Sequence, residues 1–209
     1  MLKTSKLSKG WVATALVLVV LLADQAVKLW VKTSMSLSES IHITDWFYIY
    51  FIENNGMAYG MQIGSKLALS LFRLVAISVL SYYIWRQVNK PGVRWGYIVC
   101  LSLVLAGAAG NLIDCMFYGM CFDASTLHHV SQYVGFGNGY APFFMGKVVD
   151  MLYFPLIETT YPEWFPWVGG ERFVFFSPIF NVADSSISVG VVALLLFYHK
   201  EIGRISLKD

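Results

Sequence analysis

Four long apolar runs divide the chain, at about residues 11–31, 66–85, 95–112 and 179–198. As a helix, a run of about 20 apolar residues crosses the ~30 Å hydrocarbon core of a bilayer. The pattern predicts an all-α membrane bundle of four transmembrane helices, built as a single membrane-embedded domain over residues 1–209. Between the first two runs, HITDWFYIYFIENNGMAYGM mixes aromatic and β-branched residues with Asn-Gly. That predicts short strands and a turn, forming a small external β-sheet clamped to the bundle. Residues 116–178 show weak periodicity and many Gly, Pro, Tyr and Phe. Segments of that length without regular structure are uncommon unless functional. This one reads as a long external insertion that rests on the membrane surface or covers a site. Within it, GKVVDMLYF reads as a strand or a short helix.

Charge sets the orientation. Only 13% of the 209 residues are charged, against 57% hydrophobic, where a soluble domain carries about 25% charged. Lys3, Lys6 and Lys9 precede the first run, Arg86, Lys90 and Arg94 bracket the gap after the second, and Lys200, Arg204 and Lys208 follow the last. Basic clusters at these alternate ends match the positive-inside rule with both termini cytoplasmic and segments 33–65 and 116–178 external. No basic stripe suited to nucleic acid is present. The first run, with an apolar core of about 20 residues and no clean small-x-small pattern after it, reads as a retained span rather than a cleaved signal. Cys100 lies in an apolar run. Cys115 and Cys121 fall on the external side, and their spacing leaves a disulfide open.

Several polar residues stand where a lipid-facing helix would not tolerate them. Asp24, Gln25 and Lys28 interrupt the first run, and polar groups at such positions face the bundle or the interface. Asp24 and Lys28, four apart, share a helix face. Gly107, Ala108, Ala109 and Gly110 end the third run with little bulk, which suits close helix packing. Asp150 and Asp184 both fall on the external side. Two carboxylates brought together share a proton, so one can act as base on a water while the other donates to a carbonyl or leaving group. That is aspartic-protease chemistry. Asp184 followed by Ser185 and Ser186 reads equally as a helix cap. Asn111/Asp114 and Asn181/Asp184 repeat one N-x-x-D spacing at two helix ends, suited to orienting a dyad or to pinning the ends together. His128 and His129 near Asp123 read as polar surface, with no third ligand at a metal-binding spacing. Ser185 and Ser186 have no His or Lys in their block, against a serine nucleophile. Two further classes stand beside the enzyme reading: a small transporter or channel using Asp24, Asp114 and Asp184, and a non-enzymatic membrane scaffold.

Five short blocks recur in the order of a known family: Asp24-Gln25 with Lys28; Asn54-Asn55-Gly56-Met57-Ala58-Tyr59; Gly110-Asn111-Leu112-Ile113-Asp114; Val148-Val149-Asp150; and Phe180-Asn181-Val182-Ala183-Asp184. In these the chain resembles the lipoprotein signal peptidase (signal peptidase II) family. The resemblance implies a four-helix aspartic endopeptidase of the bacterial inner membrane. Such an enzyme cuts prolipoproteins before a cysteine that carries diacylglyceryl, needs no cofactor or metal, and is blocked by globomycin. It implies a catalytic pair Asp150 and Asp184, with the site near the external surface. It implies that Asn54, Asn111 and Asn181 bind substrate or orient the site, and that Asp24, Lys28, Gly56, Ala58, Gly110 and Asp114 fall in the remaining blocks. Two features depart from the family. Cys115 stands where an arginine usually follows the third block, with Arg172 or Lys147 as substitutes. The segments 116–145 and 159–173 are additions, both expected over the external face.

Overall fold

The computed structural model describes residues 8–55 and 65–203. Gly56 and Ala58 of the second block lie outside the described residues, as do the basic residues Lys3, Lys6, Arg204 and Lys208. Among the described residues, three helices are long and apolar enough to cross a membrane: α1 (Lys9–Ser34), α2 (Lys66–Val88) and α3 (Trp95–Ile113) with its extension to Cys121. Their outward faces expose Leu18, Val19, Leu22, Phe72, Val75 and Val79. On a soluble protein, apolar faces of that extent would be a liability, and lipid is the solvent that covers them. The chain is a multi-pass membrane protein.

The fourth run differs from expectation. Residues 179 and 180 form a strand, and the helix α5 occupies only Val182–Phe197, 16 residues. At ~1.5 Å rise per residue this spans about 24 Å, short of the usual hydrocarbon thickness. The physical reason is the Asn181 cap. Its side chain accepts from Asp184 N at 2.8 Å, which fixes the helix start two residues after Ile179-Phe180 have joined the sheet. α3 also runs further than its apolar pattern: its last turns widen into a π-helix at Asp114–Tyr118 and close as a short α4 (Gly119–Cys121). The segment assigned as external from residue 116 therefore begins inside a helix.

Close packing at the centre depends on small residues. A Cβ on Gly107 would overlap the Ala183 carbonyl oxygen. One on Gly110 would lie 2.6 Å from Asp24 Oδ2, and one on Gly190 would lie 2.8 Å from the Cys100 carbonyl. These glycines draw α3 against α5 and α1 to backbone distance.

One end of the bundle carries a four-stranded antiparallel sheet in the order β1-β2-β3-β6, with β1 Ser40–Thr44, β2 Phe47–Asn54, β3 Val148–Tyr153 and β6 Ile179–Phe180. GKVVDMLYF thus resolves as a strand. Alternation gives β3 two faces. Val149 and Met151 pack with Phe51, Val31, Met35, Tyr118 and Phe122 in one buried cluster, while Val148 and Asp150 point the other way. Residues 154–178 are not structureless: β4 (Ile157–Thr160) and β5 (Arg172–Phe175) pair as a hairpin.

Residues 122–147 fold against the end of α3. The backbone N–H groups of Gly146, Ala141 and Gly139 donate to the carbonyls of Cys115, Gly119 and Met120 at 2.9, 2.8 and 3.0 Å. Those carbonyls would otherwise be orphaned at a helix terminus. Cys115 and Cys121 are free thiols, so the disulfide left open by their spacing is not formed. His129 Nε2 lies 2.9 Å from Asp123 Oδ2, closing a short loop of this segment.

Candidate active site

The site grows from three elements that meet at one end of the bundle. β3 presents Asp150, 2% exposed, on the face opposite Val149 and Met151. The first turn of α5 presents Asp184, half-buried. α3 supplies Asn111 one turn before its π-helical extension. π-bulges inside α-helices are frequent at functional sites, and here the irregular turn begins at Asp114.

Asparagine amides join the two carboxylates. Asn181 Nδ2 donates to Asp150 Oδ1 at 2.6 Å and to Asn111 Oδ1 at 3.1 Å. Asn111 Nδ2 donates to Asp184 Oδ1 at 2.8 Å. Asn54, at the end of β2, donates to Asp150 Oδ2 at 3.2 Å. The β2–β3 register, Asn54 against Val148 and Ile52 against Asp150, puts Asn54 diagonally beside Asp150 on the same face. Asp184 also closes a capping box, its Oδ2 accepting from Asn181 N at 3.3 Å. The helix-cap reading is thus partly right, but the cap residue is Asn181. Asp184 sits three residues in, its carboxylate held between Asn181 N and the Asn111 amide. Ser185 donates back to the Asn181 carbonyl, and Ser186 donates across to the Leu103 carbonyl of α3.

Behind these lies a fully buried ionic group. Lys28 Nζ contacts Asp24 Oδ2 at 2.9 Å, Asp114 Oδ2 at 2.8 Å and Asn111 Oδ1 at 2.9 Å, and the three charged side chains are at most 1% exposed. An ammonium has three protons, and these three acceptors use them all. Because Lys28 fixes the Asn111 oxygen, the Asn111 NH2 must face Asp184. Asp24 Oδ1 accepts from Ala183 N at 2.9 Å, completing the α5 start. Gln25 bridges Asp114 at 2.9 Å and accepts from Tyr118 Oη at 3.1 Å. The residues singled out in the sequence therefore converge: Asp24, Lys28, Asn54, Asn111, Asp114, Asp150, Asn181 and Asp184 form one connected network. Gly110 gives Asp24 room, and Gly56 lies outside the described residues.

Burial raises the Asp150 carboxyl to about 7, helped by the Asp184 charge beside it, while the Asn54 and Asn181 amides pull it back down. The group is therefore poised to hold a proton near neutrality. A carboxylate pair of this kind suits acid–base catalysis of water addition to a carbonyl.

Sequence patterns missed two features. The first is a second ionic cluster on the insertion side. Glu53 Oε1 meets Lys32 Nζ at 2.7 Å and Ser125 Oγ at 3.0 Å, and Glu53 Oε2 meets Lys147 Nζ at 3.0 Å. Burial pushes the Glu53 carboxyl up, and the two lysines overcome this and hold it below the usual carboxylate range. The cluster ties α1, β2, the insertion and the residue just before β3 together next to Asn54. The second is the guanidinium at Cys115. Arg172, named as a substitute for the missing arginine, instead pairs with Glu158 across the β4–β5 hairpin. It is Arg73 of α2 that donates to Cys115 Sγ, at 3.3 Å. No sequence signal pointed to it, since Arg73 interrupts an apolar run and no acidic residue stands at helical spacing from it.

The chain matches the family model described as Signal peptidase (SPase) II over residues 16–200. It is 48% identical to a lipoprotein signal peptidase of Porphyromonas gingivalis over 198 residues, 95% of this chain and 87% of the relative. It is 35% identical to one of Amoebophilus asiaticus, covering 90% and 78%. A solved structure described as a bacterial membrane enzyme superimposes with a TM-score of 0.60 at 22% identity, covering 95% of this chain and 93% of the other, which shows the shared fold. With the family model matched along most of its length, this chain belongs to the signal peptidase II family.

Proposed function

We propose that this chain is an aspartic endopeptidase that removes the signal peptide from diacylglyceryl-modified prolipoproteins, with Asp150 and Asp184 as its catalytic pair. The observation that carries the pair is their linkage: two carboxylates from different elements, joined through the Asn111–Asn181 amides at one end of a membrane bundle. A single domain carries the activity, and the bilayer is that of the bacterial inner membrane. α5 is taken as the fourth span, shortened at its outer end because the Asn181 cap lies within the site. With both termini cytoplasmic, the outer ends of α1 and α3 and the sheet face the external side.

The mechanism follows from a shared proton. The substrate's lipid chains stay in the outer leaflet and its signal helix lies along the bundle, which holds the scissile bond at the carboxylates. A water between them attacks the peptide carbonyl carbon. Its proton passes to the ionised carboxyl, while the protonated partner donates to the carbonyl oxygen. As the tetrahedral centre collapses, the C–N bond breaks and the amine of the lipid-bearing cysteine leaves with a proton. The pair titrates as a unit, and both forms of each carboxyl are used in turn. Asn54, Asn111 and Asn181 hold the two groups in place. A globomycin-type inhibitor would occupy the same carboxylates.

The test is a matched pair of precursors, identical except for diacylglyceryl on the cysteine. The purified protein should release a product beginning at cysteine from the modified form only. Equal cleavage of both, or cleavage at another bond, would overturn the reading.

A pH dependence follows from the raised Asp150. One carboxyl must carry a proton, so kcat/KM should fall as pH rises past about 7, where Asp150 loses it. Asn54→Ala removes an amide that favours the ionised form, so the alkaline limb should move to higher pH, by about 1 kcal/mol in that equilibrium. A limb that stays in place or moves to lower pH would contradict the assignment.

A further inference from the structure

The β4–β5 hairpin has two unlike faces. Residues opposite each other in an antiparallel ladder share a face, and the next residue along each strand takes the other. Ile157 with Phe175 and Thr159 with Phe173 form one face. Glu158 with Val174 and Thr160 with Arg172 form the other, where Arg172 and Glu158 make their ion pair. The apolar face continues past the strands, since the Tyr161 ring meets Phe173 at 5.2 Å and Phe165 at 5.4 Å. Along it Ile157 is 56% exposed and Phe175 51%, and at the tip Trp164 is 79% exposed and Trp167 98%.

A two-stranded hairpin is marginal in water and needs its apolar face covered. Among the described residues no third strand joins β4 and β5. The base of the hairpin meets the four-stranded sheet through Phe176, edge-on to Phe180 at 5.9 Å. The chain that leaves the hairpin sets what lies beside it. Val182, which opens α5, follows Phe176 by six positions, a reach of at most about 20 Å. α5 then turns Val189, Val192 and Leu195 outward, each more than half exposed, where lipid covers them. At ~24 Å, α5 falls about 6 Å short of the hydrocarbon thickness. With that shortfall at its outer end, the residues ahead of it stand at the level of the bilayer interface. Trp and Tyr favour that layer, and such anchors set the depth of a helix too short for its bilayer. Residues 156–176 contain Glu158, Glu163, Glu171 and Arg172 but no Lys, so apolar burial and not attraction to anionic lipid supplies the affinity.

We propose that the β4–β5 hairpin is an interfacial foot. Its Ile157/Phe175 face and its Trp164 and Trp167 tip lie in the neutral lipid interface and hold the start of α5, with Asp184, at that depth. The proposal rests on α5 as the fourth span and is independent of the peptidase chemistry.

Spin labels on the full chain in phosphatidylcholine bilayers test it, in a background with Cys100, Cys115 and Cys121 changed to alanine. One label at a time is attached at Ile157→Cys or Phe175→Cys on the apolar face, Thr160→Cys on the polar face, or Val189→Cys on α5. Collisions with oxygen, which concentrates in lipid, and with a water-soluble nickel chelate separate the environments. Both apolar-face labels should lose most of their nickel collisions and keep those with oxygen, as the Val189→Cys label does, while the Thr160→Cys label keeps nickel. Full nickel access at the two apolar-face positions would overturn the proposal. So would loss of both reagents there, the signature of a face packed on protein, whether a partner, a second copy or the chain's own site. Nickel access at Val189→Cys would remove the fourth span and the proposal with it. Lipid at Val189→Cys with water at the hairpin would sink the hairpin proposal alone. A second measurement leaves the cysteines in place. The emission lost to brominated phosphatidylcholine should be smaller in Trp164→Phe/Trp167→Phe than in the native chain, and an unchanged loss would contradict the placement of the tip.

Discussion

Asparagine in place of Asp150 or Asp184 should lower kcat for precursor cleavage by about 10⁴-fold while leaving the protein folded. Each substitution removes a proton-carrying oxygen and keeps the side-chain volume. The cost to the fold is small and can be stated. Asp150 accepts from Asn181 on one oxygen and from Asn54 on the other. An amide has one acceptor oxygen, so one neighbouring NH2 loses its partner, at about 1–3 kcal/mol. Asp184 accepts from the Asn111 amide and the Asn181 backbone, and the same reasoning applies. A scaffold in which these groups only pin helix ends would lose that much stability and no turnover. A 10⁴-fold loss in a folded variant separates catalysis from pinning, and thermal unfolding beside the cleavage assay supplies both readings.

The second large effect falls on stability. Lys28→Met should cost about 3–5 kcal/mol, the usual penalty for removing one partner of a buried ionic group. The methionine leaves Asp24 and Asp114 facing each other without the ammonium that held both, in a place from which water is excluded. It also frees the Asn111 oxygen, so the amide facing Asp184 loses its fixed orientation. Against a total stability of about 5–15 kcal/mol this is a large share. Lys28→Arg should fail as well, because a planar guanidinium cannot direct donors to three acceptors placed around a point. Pairing Lys28→Met with Asp114→Asn should recover part of the loss. Equilibrium unfolding of the variants measures this, and a Lys28→Met protein as stable as the native chain would contradict the burial argument.

How much of this was legible beforehand depended on the range of the interaction. The three long helices were readable because lipid demands about 20 apolar residues in a row, and the chain supplies them. Asp24 and Lys28 were readable as partners because four residues is one helical turn, and they meet at 2.9 Å. The N-x-x-D spacing at 181–184 is the spacing of a capping box, and the structure forms one. The misjudged boundary of the fourth helix has the same origin. Ile179 and Phe180 are apolar enough to continue the run, and only pairing with Tyr153 and Leu152, some 27 residues earlier in the chain, withdraws them into the sheet. The Glu53 cluster joins residues 32, 53, 125 and 147, separated by tens of positions and lacking any period, so no local pattern announces it. Arg73 illustrates the point most simply: an arginine in an apolar run predicts a polar neighbour, but not which element brings it.

The central claim is that Asp150 and Asp184 act as one unit on a lipid-modified precursor. The most direct measurement is the cleavage rate of one diacylglyceryl-modified precursor by the native chain, D150N, D184N and the D150N/D184N double variant, each shown to be folded. Groups that work as a unit give losses that do not add. The account predicts both single variants near the uncatalysed background and the double variant no slower than either. A folded single variant within tenfold of the native rate, or a double variant whose loss is the product of two partial ones, would contradict it.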